Sequence, residues 1–378
     1  MCVCERTGGD IARRSEGLIE HCAEATSECW EYGCLSSSLS NGLISRRADG
    51  VFEGGGVKGI AFVGALQAFE DAGFHWQNVA GTSAGAVASA LIAAGYSAAE
   101  MREIMETRVD FHKMMDAGTL GRLPFVGQWL NLLFHEGFYH GDYFLGVMRE
   151  LLQEKFGKER VTFADLVMPK EPTDSEEAYL SRFKYRLHVV ASNITRNELM
   201  ILPQDVGRLG LDPADFEVAL AVRMSISIPY FFMPVKIAEK PSKRSRQWVV
   251  DGGLLSNFPI QYFDSPPGET PPWPTFGLLL WEPTAGQPHY ERIRSLISMT
   301  RAMVRTMNTA HDRKALEEAD LKRIIKIPTG KYSATDFDLA LADRDWLYDS
   351  GYQAAGEFLD RWSWDNYLAE RQAVTAEK

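Results

Sequence analysis

Past residue 34 the chain contains no cysteine. Its five cysteines sit at positions 2, 4, 22, 29 and 34, an odd number with no CxxC pair. That pattern argues against a disulfide framework and a thiolate zinc site, and predicts free thiols. Long hydrophobic runs are missing too. No stretch approaches the ~18 consecutive apolar residues of a membrane-spanning helix, so none is expected. Residues 1–49 carry Cys, Glu and Arg early and have no apolar signal core, which predicts a cytoplasmic protein without a signal peptide. Positive charge is in deficit. Against 51 Asp and Glu stand 40 Lys and Arg, a formal charge of −11. General nucleic-acid binding and tight electrostatic adhesion to anionic membranes are therefore not expected.

What remains is an ordinary globular composition, 45% hydrophobic and 24% charged over 378 residues. That length fits two domains of ~150 residues or one large α/β domain. Composition shifts near residue 48. Before it the chain is rich in Cys, Ser and Glu, and 35–42 reads as a flexible stretch. We read 1–47 as a poorly ordered extension, 48–366 as one domain and 367–378 as a tail. Within 48–366, strands alternate with helices. Val51-Phe52-Glu53 and Val79-Ala80-Gly81 read as strand ends, each followed by a helix that stops at Gly73 or Gly95. Further buried strands are expected at 185–191, 247–250, 276–280 and 323–327, and further helices at 141–156, 290–319 and 347–362. This alternation predicts an α/β fold with a mainly parallel central sheet and helices on both faces.

Three segments carry chemistry. Gly81-Thr82-Ser83-Ala84-Gly85 is a GxSxG pentapeptide between a strand end and a helix start. A nucleophilic serine at such a sharp turn leaves no room for flanking side chains, hence the glycines Gly81 and Gly85. Alone the motif is weak. Upstream, Gly54-Gly55-Gly56-Val57-Lys58-Gly59 also joins a strand to a helix. Stacked glycines there make a nest of backbone N–H groups for an oxyanion or a phosphate, or simply a tight turn. The GGGxxG spacing fits a dinucleotide site poorly, and no GK[ST] follows for a P-loop. Third, Asp251-Gly252-Gly253 follows the 247–250 strand. Its carboxylate is expected at the catalytic edge of the sheet, with an ordinary β-turn as the plain reading.

Together these segments resemble the patatin-like phospholipase family, in its bacterial branch, over about residues 48–345. Ala191-Ser192-Asn193-Ile194-Thr195, Ser225-Ile226-Ser227-Ile228-Pro229-Tyr230-Phe231-Phe232 and Asn257-Phe258-Pro259 fit the same pattern. The resemblance implies a metal-independent lipid acyl hydrolase of the phospholipase A or lysophospholipase type, with no cofactor. Ser83 would be the nucleophile, Asp251 the base, and the amides of Gly55, Gly56 and Val57 the oxyanion hole. Gly54, Lys58, Gly59, Gly81, Gly85, Gly252 and Gly253 would support the motifs. Lys58 either adds positive potential near a lipid phosphate or is solvated. Expected partners are a phospholipid or lysophospholipid and, transiently, a membrane surface, with no nucleic acid.

Alternatives stay open at this point. A Ser-His-Asp esterase of small soluble esters would need His289 or His311, yet none of the eight histidines lies in a triad motif. A non-catalytic lipid-binding module is the other. The apolar but glycine-broken 111–144 reads as a buried excursion over the sheet or as a cap lining an acyl channel. Residues 240–246 form a basic loop, for headgroups or solvent. In the helix expected from Tyr290, the spacing of Ile293, Leu296, Ile297, Met303, Val304 and Met307 predicts core packing.

Overall fold

Gly50, Val51 and Phe52 are buried without exception, as a strand covered on both faces must be. The computed structural model describes residues 46–109, 137–168, 174–239, 245–281 and 321–369, apart from 267, 335 and 337, and the single residues 293, 299, 302, 303 and 306. In chain order the strands are β1 (Arg47–Phe52), β2 (His75–Thr82), β3 (Gly137–Tyr139), β4 (Leu187–Asn193), β5 (Glu198–Leu202), β6 (Tyr230–Phe232), β7 (Val235–Ala238), β8 (Arg246–Asp251), β9 (Thr275–Trp281) and β10 (Ile324–Pro328). The helices are α1 (Ile60–Asp71), α2 (Ala84–Ala93), α3 (Ala98–Thr107), α4 (Asp142–Phe156), α5 (Asp174–Arg182), α6 (Val218–Ser225) and α7 (Leu341–Leu359). Ser45–Lys378 forms one compact unit.

The main sheet runs β10-β9-β1-β2-β4-β8-β7, with β5 also on β4. From β10 to β4 every pairing is parallel. Beyond that the sheet reverses, because β5 and β8 both pair antiparallel with β4, and β7 with β8. One face packs on α1, α2, α4 and α7, with Phe52, Phe62, Leu66 and Phe69 fully buried. The other is covered by α5 and the 258–273 segment, around Val51, Ala80, Tyr179, Phe263 and Trp273. Neighbouring residues Val51 and Phe52 thus face opposite sides, as the strand period requires.

Among the described residues no helix is long and apolar enough to cross a membrane. Most of the helix expected at 290–319, the cap region 111–136 and most of the 240–246 loop lie outside the described residues. One expectation there is corrected. Ile293 and Met303, read as core, are 57% and 51% exposed. Helical spacing shows that residues share a face, not what that face meets.

Helices α1 and α7 meet backbone to backbone. A methyl group on Gly351 would run into the Ala61 carbonyl, and one on Gly64 into the Tyr348 carbonyl. Helix propensity alone would make Gly351→Ala stabilising by about 1 kcal/mol. We expect the opposite sign, a loss of about 2–3 kcal/mol from forcing the helices apart. Thermal melts decide it, and an unchanged or raised midpoint would refute the close crossing.

Candidate active site

The register of β4 explains how a serine and an aspartate far apart in sequence meet. Val190 pairs with Thr82 of β2 on one edge and Ile201 of β5 on the other. The next residue, Ala191, pairs with Asp251 of β8 and, across the strand, Met200 of β5. So β2 and β8 occupy consecutive stretches of the same β4 edge and run toward each other. They meet tip to tip, with Ser83 and Asp251 at the junction. The carboxylate lies at the C-terminal edge of the parallel strands, but on an antiparallel strand arriving head-on and not at the end of one more parallel strand. Gly252 is needed here, since a methyl would strike the Val190 carbonyl.

Ser83 has φ 52 and ψ −119, a left-handed backbone that costs a non-glycine residue about 1–3 kcal/mol. The turn it makes is tight. A methyl on Gly81 would enter the backbone of Gly85, and one on Gly85 the Phe52 carbonyl. Helix α2 starts at Ala84, so its positive end lies at Ser83. Ser83 is 7% exposed and Asp251 6%, which keeps bulk water off both.

Asp251 Oδ1 accepts the Gly253 amide at 2.7 Å, and its own amide donates to the Ser227 carbonyl at 2.9 Å. Oδ2 is buried and reaches no donor at hydrogen-bond geometry among the described residues. Burial pushes this carboxyl up to about 7; the Gly253 amide and the neighbouring Ser83 hydroxyl pull it partly back. A base poised near neutrality with one free oxygen is suited to taking a serine proton.

The glycine loop is pinned from below. Glu53, buried at the end of β1, accepts from Asn257 Nδ2 at 3.0 Å and from the Leu280 amide at 2.6 Å. Asn257 Nδ2 also donates to the Gly54 carbonyl, and the Gly54 amide donates to the Asn257 carbonyl. Methyl groups on Gly54, Gly55 and Gly56 would strike Asn257, Leu280 and the Ala334 carbonyl; Gly56 also has φ 56. Gly59 packs on Ala84, joining the loop to the elbow. The expected oxyanion donors are not equivalent. The Val57 amide already donates to the Ala334 carbonyl at 3.0 Å. The amides of Gly55 and Gly56 have no acceptor among the described residues. Val57 therefore anchors the loop, because consecutive amides in a tight turn point in different directions. Lys58 is buried, against the solvated alternative.

Two cavities open at Ser83. One, about 140 Å³, is walled by apolar side chains including Val87, Ala88, Leu91, Ile104 and Met148, with Gly56 and Val57 also in its lining. Tyr143 and Phe144, the described end of the 111–144 segment, also line it. The other, about 350 Å³, is lined by Asp251, Asn257, Trp248, Tyr230, Ala334 and Met303.

The sequence reading passed over Glu53 and gave Ser225 no role. Ser225 Oγ accepts the Ser83 amide at 2.8 Å. Ser225 heads a segment that fits the family pattern, which gives it no role of its own, and Glu53 is a lone acid at a strand end. No histidine lines either cavity among the described residues. His188 is fully buried against Gln204 and Tyr262, and burial drives its pKa down to about 4. His289 and His311 lie outside the described residues. Among those described, no three His, Cys, Asp or Glu come together in a way that could hold a metal ion.

The sequence model of the patatin-like phospholipases matches residues 50–264, spanning the glycine loop, the elbow and Asp251. Uncharacterized protein YqhO of Bacillus subtilis (strain 168) is 36% identical over 317 residues, 84% of this chain and 99% of that protein. Uncharacterized protein R571 of Acanthamoeba polyphaga mimivirus is 26% identical over 214 residues, 56% of this chain and 59% of its own length. Among solved structures, VipD from Legionella pneumophila shares the fold with a TM-score of 0.53 at 16% identity, over 83% of this chain and 67% of that one. With the family match running through all three motif segments and YqhO aligned almost end to end, the chain belongs to the patatin-like phospholipase family.

Proposed function

We propose that the protein hydrolyses acyl esters of phospholipids or lysophospholipids through a Ser83–Asp251 dyad. The observation that carries this reading is Ser83 itself, strained at a strand junction, beside the free Oδ2 of Asp251 and between an apolar cavity and a wider open one. In this reading Ser83 Oγ attacks the ester carbonyl while its proton passes to Asp251 Oδ2. The Gly55 and Gly56 amides hold the oxyanion, each such donor contributing about 3–4 kcal/mol in the transition state. Asp251 then returns the proton to the leaving alcohol and deprotonates the water that frees the acyl chain. The acyl chain occupies the apolar cavity, and the glycerol portion leaves through the wider one.

Ile194, Tyr230 and Met303, all exposed, rim that wider cavity. They offer apolar contact with a bilayer, at about 1.5–3 kcal/mol per fully buried side chain. This is how an acidic protein would reach an insoluble substrate.

Incubating the protein with mixed phospholipid vesicles and identifying released fatty acids and lysolipids by mass spectrometry tests the reading. A fluorophosphonate should label wild type and leave Ser83→Ala unmodified, and excess chelator should not slow turnover. Label on the wild type at any residue other than Ser83, or no label at all, refutes the dyad. An unlabelled protein that still binds vesicles would be a lipid-binding module.

A further inference from the structure

One buried hydroxyl beside the dyad takes no part in the proton transfers. Ser225, the last residue of α6, is fully buried. It accepts the Ser83 amide at 2.8 Å and donates to the Val190 carbonyl at 2.6 Å. These two backbone groups flank the gap where β2 and β8 both stop, so the Ser225 hydroxyl fills a rung that neither strand supplies. The strained Ser83 backbone persists only where its surroundings hold it. Two residues on, the Ser227 carbonyl accepts the Asp251 amide at 2.9 Å. A single turn thus touches both members of the dyad. It is itself anchored, because Arg223 Nη1 donates to Ser227 Oγ at 2.6 Å while its Nη2 reaches the carbonyls of His140 and Met233.

We propose that Ser225 is a positioning residue whose hydroxyl sets Ser83 Oγ against Asp251 Oδ2 and the Gly55 and Gly56 amides. This rests on the Ser83–Asp251 reading above. Nothing in the role touches substrate, so its signature is a loss of kcat with KM preserved. A misplacement of about 1 Å at a nucleophile slows the reaction roughly 10–100-fold.

The test uses the full chain, p-nitrophenyl butyrate turnover and the rate of fluorophosphonate labelling, with a thermal melt on each variant. Ser225→Ala should lose kcat and labelling rate about 10–100-fold at unchanged KM. Ser225→Thr, which keeps a hydroxyl that both accepts and donates, should recover most of it. Ser225→Cys, whose thiol does both weakly, should fall between. If Ser225→Ala does not fold, the contrast between Cys and Thr carries the same test, and equal rates in those two overturn the role. So do an unchanged kcat in a folded Ser225→Ala, a loss confined to KM, or a Ser225→Thr as slow as Ser225→Ala. A wild-type protein that neither labels nor hydrolyses overturns the dyad itself; normal labelling of Ser225→Ala overturns only the positioning role.

Discussion

Replacing Asp251 by Asn should stop turnover and at the same time make the protein harder to unfold at pH 8. The amide cannot accept the Ser83 proton, and loss of such a group costs about 10⁴-fold or more. The stability effect follows from burial. The Asp251 carboxyl titrates near 7 in the fold against 3.8 when free. Because the folded value is the higher one, the fold binds this proton more tightly than the unfolded chain. That contribution is full below pH 3.8 and is lost as pH rises through 7. At pH 8 the fold therefore carries a buried anion at a cost of roughly 2–4 kcal/mol, which a neutral Asn avoids. Melts of wild type and variant should diverge more at pH 8 than at pH 5. In wild type kcat/KM should fall away below about pH 7 as Asp251 protonates. A variant that melts below wild type at pH 8, or one that still turns over, contradicts the assignment.

The second large effect concerns chain length. Ala84, Val87, Ala88 and Leu91 recur at helical spacing on α2, and all of them wall the apolar cavity. Ala88→Phe should place a ring across a space of only about 140 Å³. Each buried methylene contributes about 0.8 kcal/mol. A long acyl chain denied about four of them loses about 3 kcal/mol, or ~100-fold in kcat/KM. A butyryl ester never reaches that depth and should be spared. Comparing p-nitrophenyl butyrate with the palmitate checks this. Equal losses on both would mean the ring disturbs the elbow, and an unchanged palmitate rate would put the chain elsewhere.

Much of this site could be read from the chain alone, for identifiable reasons. Gly56, Gly81 and Gly85 mark places where backbone touches backbone, while Gly54 and Gly55 leave room for the side chains of Asn257 and Leu280. The strands ending at Phe52, Thr82 and Asp251 are buried runs closed by glycine or serine turns, so their ends were legible to within about a residue or two. Strand direction was not. Nothing in Gln247-Trp248-Val249-Val250 says that β8 runs against β4, because pairing sense is a property of two strands. Amide direction was equally hidden, which is why Val57 was grouped with Gly55 and Gly56. Helix α3 is a different case. Its capping box, Ser97 to Glu100, stood in the sequence as a start signal and was passed over. Helix α6, of eight residues, offered too few turns for its period to show.

The central position of β1 has a consequence for how the protein is made. Its partners are β2, close by in the chain, and β9, which arrives much later; Glu53 and Leu280 are 227 positions apart. As the ribosome delivers the chain, the serine elbow can fold early with β2 and α2. The glycine loop cannot be fixed then, because the Leu280 amide, the Ala334 carbonyl and helix α7 have yet to emerge. Contacts of such separation form last, after the longest loops have closed. On the dyad proposed above, a chain built in this order has its serine elbow long before its oxyanion donors are fixed, and so would hydrolyse no ester while it is still being synthesised.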